Sequence, residues 1–106
     1  MPKFLITASY TAEGAKGVLK DGGSKRKQAA EQLVKSAGGR MEAFYFAFGG
    51  NDAYIIVDAP DNATVIATSL TVSSSGSVKT TTTVLLTPEE VDQAAKKSVN
   101  YRPPGS

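Results

Sequence analysis

Apolar and polar positions alternate from Lys3 to Tyr10, with Phe4, Ile6, Ala8 and Tyr10 on one side and Leu5, Thr7 and Ser9 on the other. That period of two predicts a strand. Thr11 then offers an N-cap to a weak helix, TAEGAKGVLK, in which Gly14 and Gly17 each cost about 1 kcal/mol relative to alanine. Asp21-Gly22-Gly23 interrupts it. A better helix restarts at Ser24, with Ala30, Leu33, Val34 and Ala37 recurring at i, i+3, i+4 and i+7. Gly38-Gly39 ends it, because glycine takes the left-handed conformation that closes a helix.

Arg40 to Phe48 reads as a second strand and Ala53 to Ala59 as a third, joined through Gly49-Gly50-Asn51-Asp52. That loop has hairpin chemistry, since glycine and asparagine accept positive φ at little cost. Pro60-Asp61-Asn62 is a stop followed by a helix start. The β-branched residues that follow leave the pattern open between strand and helix. Capping, and the Ala63, Ile66, Ala67, Leu70 spacing, favour a helix. Ser77 to Leu86 is a fourth strand, rich in threonine and valine. Thr87-Pro88-Glu89-Glu90 sets a cap, a first-turn proline and a Glu at N3, so a last helix begins there and runs to about Asn100. The order is β-α-β-β-α-β plus a terminal helix, an α+β ferredoxin-like arrangement with an antiparallel four-stranded sheet. It predicts a single domain over residues 1–100 and a frayed tail over 101–106.

Strands with one wet face should alternate apolar with polar, and the two middle ones do not. The second carries Phe44, Phe46 and Phe48 on one face and Met41, Ala43, Tyr45 and Ala47 on the other. The third carries Tyr54 and Ile56 against Ala53, Ile55 and Val57. The face away from the helices would expose a large apolar patch, which monomers seldom tolerate. A second copy, sheet against sheet, is the expected cover. The alternative is that the terminal helix folds across it with the narrow stripe Val91, Ala94 and Ala95.

Composition narrows the chemistry more than the fold. The chain has 106 residues, 41% hydrophobic and 21% charged, an ordinary globular mixture. A formal charge of +2 is too small to suggest a nucleic-acid binder. There is no cysteine and no histidine, which excludes disulfides, thiol nucleophiles, Cys or His metal sites and Ser-His triads. No metal or other cofactor is expected. No signal-peptide core and no membrane-length apolar run is present, so the expected location is the cytoplasm, away from membranes.

Tyr10-Thr11, Gly14, Arg26, the Gly38-Gly39 pair, Tyr45, "FGGND" and "DAPD" together resemble the GYD-domain family. The resemblance spans Phe4 to about Leu86 and implies a dimeric α+β barrel, two ferredoxin-like units packed sheet to sheet. The family is named for a Gly-x-Tyr-Asp-type turn between the second and third strands. Here Asn51 replaces the tyrosine while Gly49 and Asp52 remain, so no role of that tyrosine carries over. The resemblance brings no general activity with it.

Five residues form the candidate ligand-binding set: Tyr10, Arg26, Tyr45, Asn51 and Asp52. Asp52 either accepts N–H bonds of its turn or serves as a buried base. Ser24-Lys25-Arg26-Lys27 concentrates cations at a helix start, suited to a carboxylate or phosphate; otherwise Arg26 pairs with an acid such as Asp52 or Asp58. Tyr10 ends a strand beside the glycine-rich helix, where it could line a pocket. The glycines at 14, 17, 22 and 23 mark either a mobile lid or a close helix–sheet contact. The leading functional reading is a small dimeric sensor or accessory protein holding a small organic or anionic ligand between sheet and helices. The alternatives are a cofactor-free isomerase, decarboxylase or monooxygenase with Asp52 as base, and a purely structural or protein-binding module.

Overall fold

The computed structural model describes residues 1–105. Strands β1 (Lys3–Tyr10), β2 (Arg40–Phe46), β3 (Ala53–Asp58) and β4 (Val78–Leu85) form one antiparallel sheet in the order β2-β3-β1-β4. Helices α1 (Ala12–Asp21), α2 (Gly23–Ser36), α3 (Asn62–Ser74) and α4 (Pro88–Ala95) complete the described residues. This α+β topology is consistent with a ferredoxin-like fold.

Register decides what each face carries. Phe4 pairs with Val57, Ile6 with Ile55 and Ala8 with Ala53. Directly paired residues share a face. That face is the core side, where Phe4, Val57, Ala59 and Val65 form one buried cluster and Ala8, Ala53 and Val78 another. Val34 from α2 and Val72 from α3 pack against these clusters. A register shift between Met41 and Ala43 turns Met41 to the core side with Phe44, away from Ala43 and Tyr45, where simple alternation had put it. Phe48 falls beyond the end of β2 and is fully exposed.

The helix termini follow from local chemistry. The Thr11 hydroxyl caps α1 by accepting the Gly14 N–H at 3.3 Å. No side chain caps α2; it starts at Gly23, and the bend from α1 is taken by Gly22 at φ 81. Asp61 caps α3 through the Thr64 N–H at 2.8 Å. The β-branched threonines of α3 fit a helix because Thr68 and Thr71 donate to the carbonyls of Thr64 and Ala67. Gly38, at φ 82, follows α2 as expected. The β2–β3 loop differs from the expectation: Gly49, Gly50 and Asn51 all keep negative φ, so its shape does not depend on the left-handed region.

Two helices carry apolar residues on exposed faces. On α3 the inward positions include Val65, Thr68, Ser69 and Val72, while Ala63, Ile66, Ala67 and Leu70 face outward. Ser69 and Thr82 share a hydroxyl hydrogen bond at 3.2 Å, which pairs polar groups across the helix–sheet contact. The capping box of α4 is present, but the helix ends at Ala95 and every residue from Leu86 to Gly105 is exposed. It does not fold across the open sheet face, so that alternative cover is removed. The tail expected over 101–106 includes Ser106, which lies outside the described residues; residues 101–105 carry no helix or strand.

At one end of the open face, Asp58 is buried between two cations. Lys3 Nζ donates to its Oδ1 at 2.9 Å and Arg40 to its Oδ2 at 3.1 Å, and Lys3 also pairs with Glu42. The Lys3 hydrogen bond, with help from Arg40, holds the Asp58 carboxyl below the usual carboxylate range. Glu42 first, then Asp58, raises Lys3. The lowered Asp58 value means its stabilisation is complete above about pH 4 and is lost as pH falls through the folded value. The raised Lys3 value means the opposite: full stabilisation below about pH 10.4, lost as pH rises through the folded value. Asp58→Asn should therefore lower the melting temperature at neutral pH and flatten its fall below about pH 4. An unchanged acid slope would show that the network contributes nothing.

Candidate functional site

The sheet end formed by the last residues of β1 gathers most of the candidate chemistry. Two backbone bonds fix it. Tyr10 N–H donates to Asp52 Oδ2 at 2.8 Å, and Thr11 N–H donates to Ser77 O at 3.0 Å. The first corrects the expectation for Asp52. Its carboxylate accepts from the neighbouring strand and not from its own turn, while its N–H donates to Ala8 O at 2.8 Å. Asp52 thus prolongs the β1–β3 pairing beyond Ala53 and ties the "FGGND" loop to β1.

Gly14 brings α1 down onto this end. A β-carbon there would lie 2.0 Å from Ser77 O and 3.2 Å from Tyr10 Cδ1. The glycine therefore marks a close helix–sheet contact. Gly23 plays a smaller part of the same kind against the Phe46 ring, at 3.0 Å, whereas Gly17 faces open space.

Tyr10 stands between three hollows. One, of about 80 Å³, lies between the sheet and helices α2 and α3, and Ile6, Phe44, Val72 and Thr80 are among its walls. A second, of about 320 Å³, opens beneath α1, with Glu13, Gly17, Val18, Asp21 and Ser77 among its lining. Tyr10, Arg26, Val72 and Val78 line both. A third, of about 700 Å³, is a broad groove of Leu19, Phe46 and Phe48 with Asp52 and Tyr10 at its side.

Tyr10 and Arg26 are therefore brought together, and Asp52 reaches Tyr10 from the far side. Arg26 is half-buried on the inward stripe of α2 and, among the described residues, makes no ion pair with Asp52, Asp58 or any other acid. Lys25 and Lys27 are exposed. Asp52 and Arg26 line different hollows. Tyr45 stands apart, 71% exposed on the open face beside Tyr54. Asn51 also lies outside these hollows and accepts a long hydrogen bond, 3.4 Å, from Ser9 Oγ.

Glu13 and Asp21 were missed from sequence. Gly14, Gly17, Val18 and Asp21 follow i, i+3, i+4, i+7 spacing, with Glu13 four residues before Gly17, so one stripe of α1 lines the cavity. Reading those glycines as a stripe, and not as helix breakers, would have found it.

Asp52→Asn keeps one acceptor oxygen but loses the charge in its bond to Tyr10 N–H. It should cost about 1–2 kcal/mol of unfolding free energy, and Asp52→Ala more, both read from urea midpoints. A fully stable Asp52→Ala protein would contradict this bracing role.

An antiparallel sheet with its core helices on one face, and a hollow lined by charged residues at one end, makes a small α+β domain. The model of the GYD domain matches residues 4–95, and the chain belongs to that family. It is similar to the glutamine synthetase and cystathionine beta-lyase binding protein of Thermus thermophilus. The two are 35% identical over 82 residues, 77% of this chain and 85% of that protein. No solved structure matches the chain. Among the described residues, no helix is long and apolar enough to cross a membrane.

Proposed function

We propose that this protein is a small accessory protein that works as a sheet-to-sheet homodimer and holds a small organic ligand, bearing at least one anionic group, between its sheet and helices. The observation that carries the ligand is Arg26. A half-buried arginine with no acid partner among the described residues, beside a tyrosine and lining two cavities, has its charge free to pair with a bound anionic group. The larger cavity, about 320 Å³, has the size of a small-molecule site. The open face supports the dimer: Leu5, Ala43, Tyr45, Tyr54 and Ile56 share it, and α4 leaves it bare.

The alternative of a cofactor-free enzyme with Asp52 as base has less support. The Asp52 carboxylate is already engaged with the β1 backbone, and Arg26 lies on a different hollow. A protein-binding role has an observation of its own. Ile66 and Leu70 are 55% and 66% exposed on the outer stripe of α3, a surface suited to docking. The name of the Thermus thermophilus relative points the same way, to an enzyme partner. The two roles are compatible, with ligand occupancy on one side of α3 and a partner on the other.

A thermal-shift screen of small carboxylates, phosphates and amino acids tests the ligand. At least one should raise the melting temperature of the wild type and leave a folded Arg26→Gln protein unchanged. Equal shifts in both proteins, or none in either, would overturn the assignment.

A further inference from the structure

The larger cavity carries charges of both signs that do not neutralise one another. Arg26 lines it half-buried and Glu13 and Asp21 stand exposed at its rim on α1, and among the described residues none of the three is within ion-pairing distance of an opposite charge. The remaining walls that matter are Val18, Val72 and the Tyr10 ring.

A ligand with only negative charge would meet Arg26 favourably but face two carboxylates. A phosphate or a dicarboxylate would suffer most from that repulsion. A ligand with only positive charge would meet the acids and be repelled by Arg26. The arrangement selects against both. A molecule bearing one carboxylate and one ammonium gives each sign a counterpart, with the ammonium shared between the two carboxylates. Its carboxylate would take the paired donors of the guanidinium, and its ammonium would lie toward α1. Val18, Val72 and Tyr10 would then receive an apolar side chain, in the space that Gly17 leaves open.

Resting on the reading that this cavity holds a ligand, we propose that the ligand is a zwitterion of amino-acid size with an apolar side chain, held through Arg26 on one side and Glu13 and Asp21 on the other.

The test is calorimetric titration of the full chain with L-leucine, L-methionine, L-valine and L-phenylalanine. The tightest binder is then compared with its 2-oxo acid, which lacks the ammonium, and its amine, which lacks the carboxylate. The amino acid should bind at least about tenfold more tightly than either relative. Arg26→Gln should abolish its advantage over the amine, and a Glu13→Gln, Asp21→Asn double variant its advantage over the 2-oxo acid. Circular dichroism confirms that the variants are folded. A 2-oxo acid that binds as tightly as the amino acid would overturn the zwitterion assignment while leaving an anion site in place. Binding of none of the four amino acids to the folded wild type would also overturn it. If the carboxylates and phosphates of the thermal-shift screen fail as well, the ligand reading falls with it.

Discussion

Gly14→Ala is expected to destabilise the protein by about 2–3 kcal/mol, although alanine is the better helix former. The added carbon would sit 2.0 Å from the carbonyl oxygen of Ser77, a backbone atom that cannot rotate away. Either α1 must lift from the sheet or the start of β4 must move. Both responses strain the Thr11–Ser77 bonds that join the end of β1 to β4. Gly17→Ala, on the same helix, meets nothing within 4 Å and should stabilise by about 0.5–1 kcal/mol. Opposite signs in urea denaturation are the prediction. Equal effects would mean that α1 does not press on the sheet as described.

Ile56→Asp should have the largest effect on assembly. Ile56 pairs with Leu5 on one side and Ala43 on the other, at the centre of the open face. In a sheet-to-sheet dimer a carboxylate there would be buried without a partner. Association should weaken by about 2–4 kcal/mol, or roughly thirtyfold to a thousandfold in dissociation constant. Sedimentation velocity should show the wild type at twice the 11.0 kDa chain mass and the variant at the single-chain mass. Phe46 makes a useful contrast, because it lies with Phe44 in an edge-to-face pair 5.1 Å apart on the core side. Phe46→Asp should lower stability without selectively splitting the dimer.

The order of elements along the chain and the starts of α1, α3 and α4 were legible because local signals and the global pattern agreed. Thr11, Asp61 and Thr87 each cap the helix that their position announces. The spacing that marks α3 as a helix does not mark its buried side: Ala63, Ile66, Ala67 and Leu70 face outward. Thr68 and Ser69 are inward there, their hydroxyls bonded to the helix backbone and to Thr82, so polar residues occupy core positions at little cost. The bulge near Met41 was invisible, since one extra residue shifts every later side chain to the other face without altering composition. For the site, a strand end beside a glycine-rich helix was enough to find Tyr10. Arg26 stood out as a cation at a helix start, but its place on the inward stripe required the helix to be set against the sheet. Asp52 was chosen for its turn; its bond crosses to β1, a contact between residues 42 apart in sequence. Tyr45 lies on the open face, which alternation along a strand does not distinguish from the covered one, and Asn51 lies in the β2–β3 loop, bonded to Ser9 and away from the Tyr10–Arg26 cavities.

Native mass spectrometry in the presence of each of the four amino acids in turn reads the ligand-holding dimer in one spectrum. The expected species has twice the 11.0 kDa chain mass with one amino-acid adduct per chain for at least one of the four, and no adduct on Arg26→Gln. A bare species at the single-chain mass, unchanged by any of the four, would contradict the ligand-holding dimer.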